Sequence, residues 1–481
     1  MTPDQATALP HPDAPAIAAA IDRHESVTRP RLALLWNYYR NPALSAPGAP
    51  RARLAQERGL PARLTGAPAD PHATLRDDRA RPGREIVIEN DIAWRIQTMV
   101  DFMFGRPVTI VSTARDDAKR RTIERVLDAV WESSGGVALL CDAGLLGHIH
   151  GHIDLLVRAD LAPGSPRPRN DDELLDLARR LRVEPIDPLR GIPILDPADY
   201  RRLAAYVIRT RTSPHTHTDT ETLTEIFTPS ARALYAQRAG RPARLIDSGP
   251  ALVADAPGPV PIVHIQNISQ PFHYAGLSEV EPLIPLQDEL NTRLSDRASR
   301  VTFQSFKMFL AKGLDGADKL PVGPGQVWST DNTDAAVEAF GGDGASPSED
   351  AHISEVREAL DKSSGVPPLA SGVVRAKIGN LTSENALRIT LMGLLSKTAR
   401  KRVTYGRGIA HACTLILEAL DRAGVLPTDQ ADRAVRVEWP DPLPREERDT
   451  LNAARAKLDL GVSRERVLSE LGYAPTDPGV T

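Results

Sequence analysis

GLSEVEPLIPLQDELNTRLSDRASRVTFQSFKMFLAKG, residues 276–313, decides the fold, because it reads as one long polar-apolar helix in a chain whose earlier half is mixed. Ser278 followed by Glu281 matches a capping box. Glu279, Glu281, Asp288 and Glu289 place acid near the helix start, and Arg293, Arg297, Arg300 and Lys307 place base toward its end, so the charges oppose the helix dipole. Pro282 and Pro285 lack backbone donors, and the regular part is expected from Pro285 onward. A continuous helix from there to Leu310 would span roughly 40 Å at about 1.5 Å per residue. Such a helix does not bury its stripe alone, and neighbouring subunits are the natural partner surface.

Downstream, residues 312–348 have the Gly, Pro and Asp density of loops and short strands, which excludes a single helix. Helical spacing returns over residues 349–362 through Ile353, Val356 and Leu360, and VPPLASG (366–372) breaks it. Asn380, Thr382 or Ser383 is placed to cap a final long helix. Its stripe is Leu387, Leu391, Leu394, Leu395, Thr398, Tyr405, Ile409, Ala412, Ile416 and Leu420. Gly393, Gly406 and Gly408 mark places where this helix bends or packs closely. The tail, 445–473, reads as two short helices, with Gly461 ending one and Ser463 capping the next.

The upstream half alternates helix and strand. Residues 1 to about 20 are rich in Pro and Ala and read as a mobile arm, with ordered structure expected from near Ser26. RLALLWNYYRNP (31–42) reads as a docked short helix, and 43–84 as a Pro- and Arg-rich surface excursion, helical in part. Residues 90–104 and 116–135 have amphipathic helical spacing. Residues 108–112, 152–160, 206–210, 222–228 and 260–267 read as strands.

Three of these pieces together resemble the bacteriophage portal protein, the head-to-tail connector of tailed, siphophage-like phages: 276–313, SSGVPPLASGVVRAKIGNLTSENALRITLMGLLSKTARK (363–401) and NDIAWRIQTMVDFMFGRPVTI (90–110). The order of elements carries the resemblance more than any one motif. It implies an α+β, multi-domain subunit with a mixed α/β wing, a two-helix stem, a small α/β clip, a long wing helix and a helical crown. Carried onto this chain, the flexible arm is 1–25 and the wing 26–277. The stem is 278–310 and 349–364, with the clip at 311–348 between them. A tunnel loop follows at 365–382, the long wing helix at 383–426 and the crown at 427–481. The sequence departs from the family at the loop-to-helix junction, where Ser383-Glu384-Asn385 replaces the common Ser-Gly pair. Pro285 within the stem helix is a second departure.

The function so implied is a ring, usually dodecameric, at one capsid vertex of the virion. It is assembled in the host cytoplasm with major capsid and scaffold proteins. Double-stranded DNA is packaged and ejected through it, with a terminase and later a head-completion adaptor docked to it. A net charge of −4 argues against a protein that grips nucleic acid by bulk positive charge and suits a channel that must let DNA slide. Arg375, Lys377 and Asn380 are the candidate DNA-facing residues of the tunnel loop, since Arg375 and Lys377 repeated around an axis make a positive collar. Arg293, Arg297, Arg300 and Lys307 share a helix face and are candidate channel-lining residues. The alternative for these four is that they answer the helix dipole and pair with acids of an adjacent subunit. Lys397, Arg400, Lys401, Arg402 and Arg407 read as a solvated or inter-subunit face.

Other chemistries find less support. The chain has no G-x-x-x-x-G-K-[ST], no H-E-x-x-H and no G-x-S-x-G elbow, so no enzyme, metal or cofactor is expected. GHIHGHID (147–154) alternates His148, His150, His152 and Asp154 on what reads as one strand face, and a metal-dependent hydrolase built there is one alternative. A non-channel minor head assembly protein is another. Cys141 and Cys413 lie far apart within apolar stretches, as buried free thiols do. No apolar run is long enough to cross a bilayer.

Overall fold

The computed structural model describes residues 14–44, 53–65, 85–161, 164–212, 221–238, 240–253, 258–305, 308–312, 332, 334–340, 346–371, 384–443, 447–464 and 467–468. The first part of the chain forms α1 (Ala14–Arg23), a π-helical turn (His24–Thr28), α2 (Arg29–Arg40), α3 (Ala62–Thr65), α4 (Asp91–Phe104), β1 (Thr109–Ser112), α5 (Asp117–Ser134) and α6 (Gly136–His150). Next come β2 (His152–Ala159), α7 (Asp171–Ala178), β3 (Leu181–Ile186), β4 (Gly191–Leu195), β5 (Leu203–Thr212), β6 (Glu221–Phe227), β7 (Arg232–Arg238), β8 (Arg244–Gly249) and β9 (Ile262–Gln266). The remainder is α8 (Ile284–Ser305), β10 (Met308–Lys312), β11 (Ala336–Phe340), α9 (Pro347–Ser364), α10 (Glu384–Thr390), α11 (Met392–Arg422), β12 (Val435–Glu438) and α12 (Glu447–Asp459). The chain is a mixture of helix and sheet, as the sequence implied.

β2 is the centre of the layering. It runs antiparallel between β3 and β9, and six consecutive residues from its start are buried, so both of its faces are covered. Ile153, Leu155 and Val157 point into the principal core with α5, α6 and α11, whose stripe supplies Tyr405, Ile409, Ala412, Ile416 and Leu420. Leu156 points the other way, into a second core shared with Tyr206, Ile208 and Phe227 of the antiparallel meander β4-β5-β6-β7-β8. That meander has its own far face, where Val207, Ile226 and Tyr235 meet Ile17 of α1. The order is therefore helices, three-stranded sheet, five-stranded sheet, helix. A two-stranded ladder, β1 with β12, sits at the edge of the principal core, with Ile110 buried there.

Local chemistry accounts for the helix ends. The Asn90 side chain accepts from Ala93 N (3.3 Å) and starts α4, and Asp116 accepts from Lys119 N (2.7 Å) and starts α5. Gly408 lets α11 close on β9, because a Cβ there would stand 2.3 Å from Ile265 Cγ1. Of the three glycines marked on this helix, the other two are less tightly approached: a Cβ at Gly406 or Gly393 would have its nearest neighbour at 3.4 or 3.8 Å.

Several expectations change. The first 25 residues are not all a loose arm: α1 is helical from Ala14, and Ile17 is fully buried because the meander's outer face needs a cover. Within 43–84, the 53–65 stretch is docked: Gln56 is fully buried, donating to Tyr38 O (2.7 Å) and to Asn90 Oδ1 (2.9 Å). α8 ends at Ser305, five residues short of Leu310, and Met308–Lys312 instead pairs with Ala336–Phe340. Phe303, Phe306, Phe309 and Leu310 keep an apolar spacing that a helix and a short strand share, so periodicity alone did not separate them. The long final helix is two, α10 and α11, divided at Leu391 (φ −93°, ψ 7°). Gly461 has φ 87° past the end of α12, as its helix-ending role requires.

Ile17→Ala is expected to destabilise the folded chain by about 2–4 kcal/mol, because it empties the seat of α1 on the meander. Urea denaturation followed by circular dichroism measures it.

Candidate functional site

α8 and α9 form an antiparallel hairpin that leads out to the β10–β11 ladder and back. Their side-by-side course follows from cross-pairs: Arg297 to Asp350 (3.0 Å), Arg300 to Glu349, and His352 Nε2 to Glu289 (3.0 Å). At the other end, Val280, Leu283, Leu290 and Leu294 pack with Ile353, Val356 and Leu360, and with Leu32 and Leu35 of α2. The lower half of the α8 stripe is thus sheltered within its own chain, where the sequence pointed to neighbouring subunits.

The hairpin enters and leaves the body through buried charge. Ser278 Oγ donates to Ile149 O (2.6 Å) and accepts from Val280 N (3.1 Å), starting a 3-10 turn, Glu281–Leu283, ahead of α8. Glu279, 3% exposed, lies 2.8 Å from Lys397 Nζ and 2.6 Å from Lys401 Nζ, both on α11. Lys397 also donates to Ser364 O (2.6 Å) at the end of α9. That end is gripped again by Arg95 of α4, which is fully buried. Arg95 reaches Asp91 (2.8 Å), Asp361 (2.7 Å), Ser364 Oγ (3.1 Å) and Val366 O (2.8 Å). Three acids, Glu279, Asp91 and Asp361, and three bases, Lys397, Lys401 and Arg95, therefore tie both ends of the hairpin to α4 and α11.

The electrostatics agree with that geometry. Burial by itself raises the Glu279 carboxyl, but Lys401 and Lys397 outweigh it and bring the group to about 2. Burial pulls the Lys401 ammonium down to about 8 against the attraction of Glu279. Neighbouring His148 is pushed to about 3 by burial and by Lys401, so it stays neutral.

The basic run on α11 thus divides. Lys397 and Lys401 face inward, Arg402 lies over the Trp439 ring at 5.3 Å, and Arg400 and Arg407 are exposed; a single solvated face does not describe it. The sequence held a signal for this. Lys401 falls on the stripe Leu394, Thr398, Tyr405, and a lysine at a core position demands a buried acid. Arg95 likewise falls beside Ile92, Ile96 and Met99 on the buried face of α4.

Of the candidate channel-lining residues, Arg293 pairs with Glu289 (2.7 Å), and Arg297 and Arg300 pair with acids on α9 of the same chain rather than of a neighbour. Lys307, Arg375, Lys377 and Asn380 lie outside the described residues.

The histidine cluster is not one strand face. α6 continues through His150 and ends at Gly151 (φ 89°), where a Cβ would lie 2.4 Å from Gly276 O, and β2 begins at His152. His148 Nδ1 is 2.6 Å from Gly144 O, the His150 ring stacks on Trp36 at 6.2 Å, and the His152 ring lies 5.7 Å from that of His264. The three imidazoles have separate surroundings, and among the described residues no group of three or more His, Cys, Asp or Glu is placed to hold a metal ion. Asp154 instead accepts from Tyr206 Oη (2.6 Å) and Tyr274 Oη (2.8 Å) and meets His264 Nδ1 (2.6 Å), a buried clasp between the two sheets and the 268–276 loop.

Against known proteins, the family described as "Phage portal protein, SPP1 Gp6-like" matches residues 20–473. No curated protein matches the chain in sequence. Solved structures that match include the virion of a native gene transfer agent particle, with 14% identity over 80% of this chain and 90% of that one and a TM-score of 0.44. The neck of an empty gene transfer agent particle, computed with C6 symmetry, matches with the same identity and coverage and a TM-score of 0.45. The neck of a native particle, computed with C12 symmetry, matches likewise with a TM-score of 0.43.

Glu279→Gln is expected to cost about 3–5 kcal/mol, because it leaves the buried Lys401 and the partly buried Lys397 without their anion. The pH dependence has a defined sign. The folded carboxyl titrates at about 2, below its ordinary 4.5, so its contribution is complete above 4.5 and is lost as pH falls from 4.5 toward 2. Thermal midpoints across that range should fall less steeply for the variant than for the wild type.

Proposed function

The chain belongs to the SPP1 Gp6-like phage portal protein family, a structural and non-enzymatic family, and from that premise we propose that copies of it close into a hollow ring, a dodecamer, at one vertex of a capsid. Double-stranded DNA is packaged and later ejected through the bore. A terminase docks to the ring during packaging, and head-completion and tail proteins replace it. In this reading α8 and α9 are the stem, and the segment between them, with β10 and β11, is the clip. Residues 365–382 are the tunnel loop, with Arg375, Lys377 and Asn380 toward DNA. α10 and α11 are the long wing helix, and the chain from 427 is the crown.

The observation that carries the reading is an exposed apolar face on α10 and α11. Ile389, Met392 and Val403 are 71%, 62% and 52% exposed. They recur at helical spacing with Ala399, on the side away from the buried stripe. Leu451 on α12 and Leu460 just beyond it are exposed as well. A subunit that leaves this much aliphatic surface on its longest helix, α11, and on the short α10 before it is built to be covered by another copy. The mechanism is then geometric and electrostatic: the ring makes and breaks no bond, and the anchored hairpin holds the bore open.

The double variant Met392→Asp, Val403→Asp is expected to keep its circular dichroism spectrum and lose rings in negative-stain micrographs. The wild type should show rings with a central hole. A wild type that stays a monodisperse monomer by light scattering at assembly-permissive concentration would overturn the proposal.

A further inference from the structure

His264 of β9 stands between two acceptors. Its Nδ1 lies 2.6 Å from Asp154 Oδ1 and its Nε2 lies 2.6 Å from Tyr274 O. A backbone carbonyl only accepts, and a neutral imidazole has one N–H and one lone pair, so it donates to one of these oxygens and not to both. Moving a proton onto Asp154 is the other way to satisfy the pair, and the two phenols oppose it. Tyr206 Oη donates to Oδ2 (2.6 Å) and Tyr274 Oη to Oδ1 (2.8 Å), and donors of this kind favour the carboxylate form. The imidazole therefore carries both protons, with its side chain 21% exposed and the Tyr274 ring stacked on it at 3.7 Å, an aromatic face against a cation.

The segment so gripped is the 268–276 loop, and it is strained. Phe272 has φ 64°, in a region that bulky side chains avoid, and is 82% exposed, so contacts of its neighbours rather than burial of its own ring hold the conformation. Gln266 Nε2 donates to His273 O (2.8 Å) and Tyr274 O (3.0 Å), and Gln270 N donates to Gln266 Oε1 (3.1 Å), which fixes the orientation of that amide. The neck is closed separately, by Leu277 N donating to Ile268 O (3.0 Å). Release of the tip thus leaves the root of the hairpin tied.

We propose that His264 is a proton-operated latch: doubly protonated, it closes the 268–276 loop against β2 and β9, and loss of one proton opens the loop tip. A neutral ring turns a lone pair toward an oxygen at one of the two contacts, and the strain at Phe272 then favours opening. The titratable groups that face it, among the described residues, are Asp154 and His152 on β2, Tyr206 on β5 and Tyr274 on the loop. Burial holds His152 neutral down to about 4, and burial with Asp154 keeps both phenols protonated, so these do not change charge between pH 5.5 and 9. The sign follows from the donor count: closure is complete at the acid end of that range and is lost as pH rises. The latch belongs to the single subunit and does not depend on the ring proposed above.

Hydrogen exchange read by mass spectrometry on the full chain tests it. After correction for the intrinsic pH dependence of exchange, protection of residues 268–276 should fall at least tenfold from pH 5.5 to pH 9. His264→Gln should leave the loop poorly protected at both, with no step, whereas His273→Gln, which changes the exposed histidine of the loop itself, should keep the step. An unchanged wild-type loop, a step that persists in His264→Gln, or one that vanishes in His273→Gln overturns the latch. Should His264→Gln not fold, the wild type decides alone: a loss at 268–276 that comes only together with loss at 278–283 belongs to Lys401 at the hairpin root, which burial brings to about 8, and likewise overturns it.

Discussion

The ion pairs of Glu279 with Lys397 and Lys401 are the constraint on which the rest of the molecule depends. A carboxylate 3% exposed survives only because two ammonium groups are delivered to it, and they come from a helix more than a hundred residues later. The hairpin therefore has its direction set at its root. Glu279 fixes where α8 begins, Lys397 reaches on to Ser364 where α9 ends, and Arg95 closes the same end from α4. An apolar root would have tolerated sliding; discrete ion pairs with fixed partners do not.

The second organising feature is a strand buried on both faces. β2 can carry Ile153, Leu155 and Val157 toward helices and Leu156 toward the meander only because Gly151 turns the chain sharply out of α6. Placing Asp154 on the meander side puts a carboxylate in the sheet-to-sheet interface, where Tyr206, Tyr274 and His264 satisfy it. Burial opposes its ionisation, but the neighbouring His264, with His152 and Tyr206, holds it below the ordinary carboxylate range. The histidines that looked like a metal set are instead spread over a helix end and a strand start.

Most of the helices were legible in the sequence because their stripes are regular and their ends are marked. Asn90, Asp116, Gly105 and Gly461 do in the structure what their residue types announce. Strands β2, β5, β6 and β9 were legible from β-branched runs, whereas β3, β4, β7 and β8 were not, being rich in Arg, Pro or Ala and held by pairing with neighbours rather than by pattern. The hairpin root was hidden for a different reason. Lys397 reads as a surface lysine until Glu279 is placed beside it, and that proximity is a property of the tertiary fold. The stripe around Lys401 and the Asp91–Arg95 spacing were the available hints. The arginines of α8 were recognised as a set, but the acids that meet Arg297 and Arg300 lie on α9, across the whole intervening excursion.

The β1–β12 ladder joins Thr109–Ser112 to Val435–Glu438, and the principal core draws much of its apolar volume from α11. The face of β2 that carries Ile153, Leu155 and Val157 must therefore wait, during synthesis, for residues about 250 positions later before α11 joins α5 and α6 as its cover. Contacts so distant along the chain close slowly. A nascent copy made through β9 but not yet through α11 presents an apolar sheet only partly covered by α5 and α6, and that interval is when it is most exposed to aggregation or to capture by a chaperone.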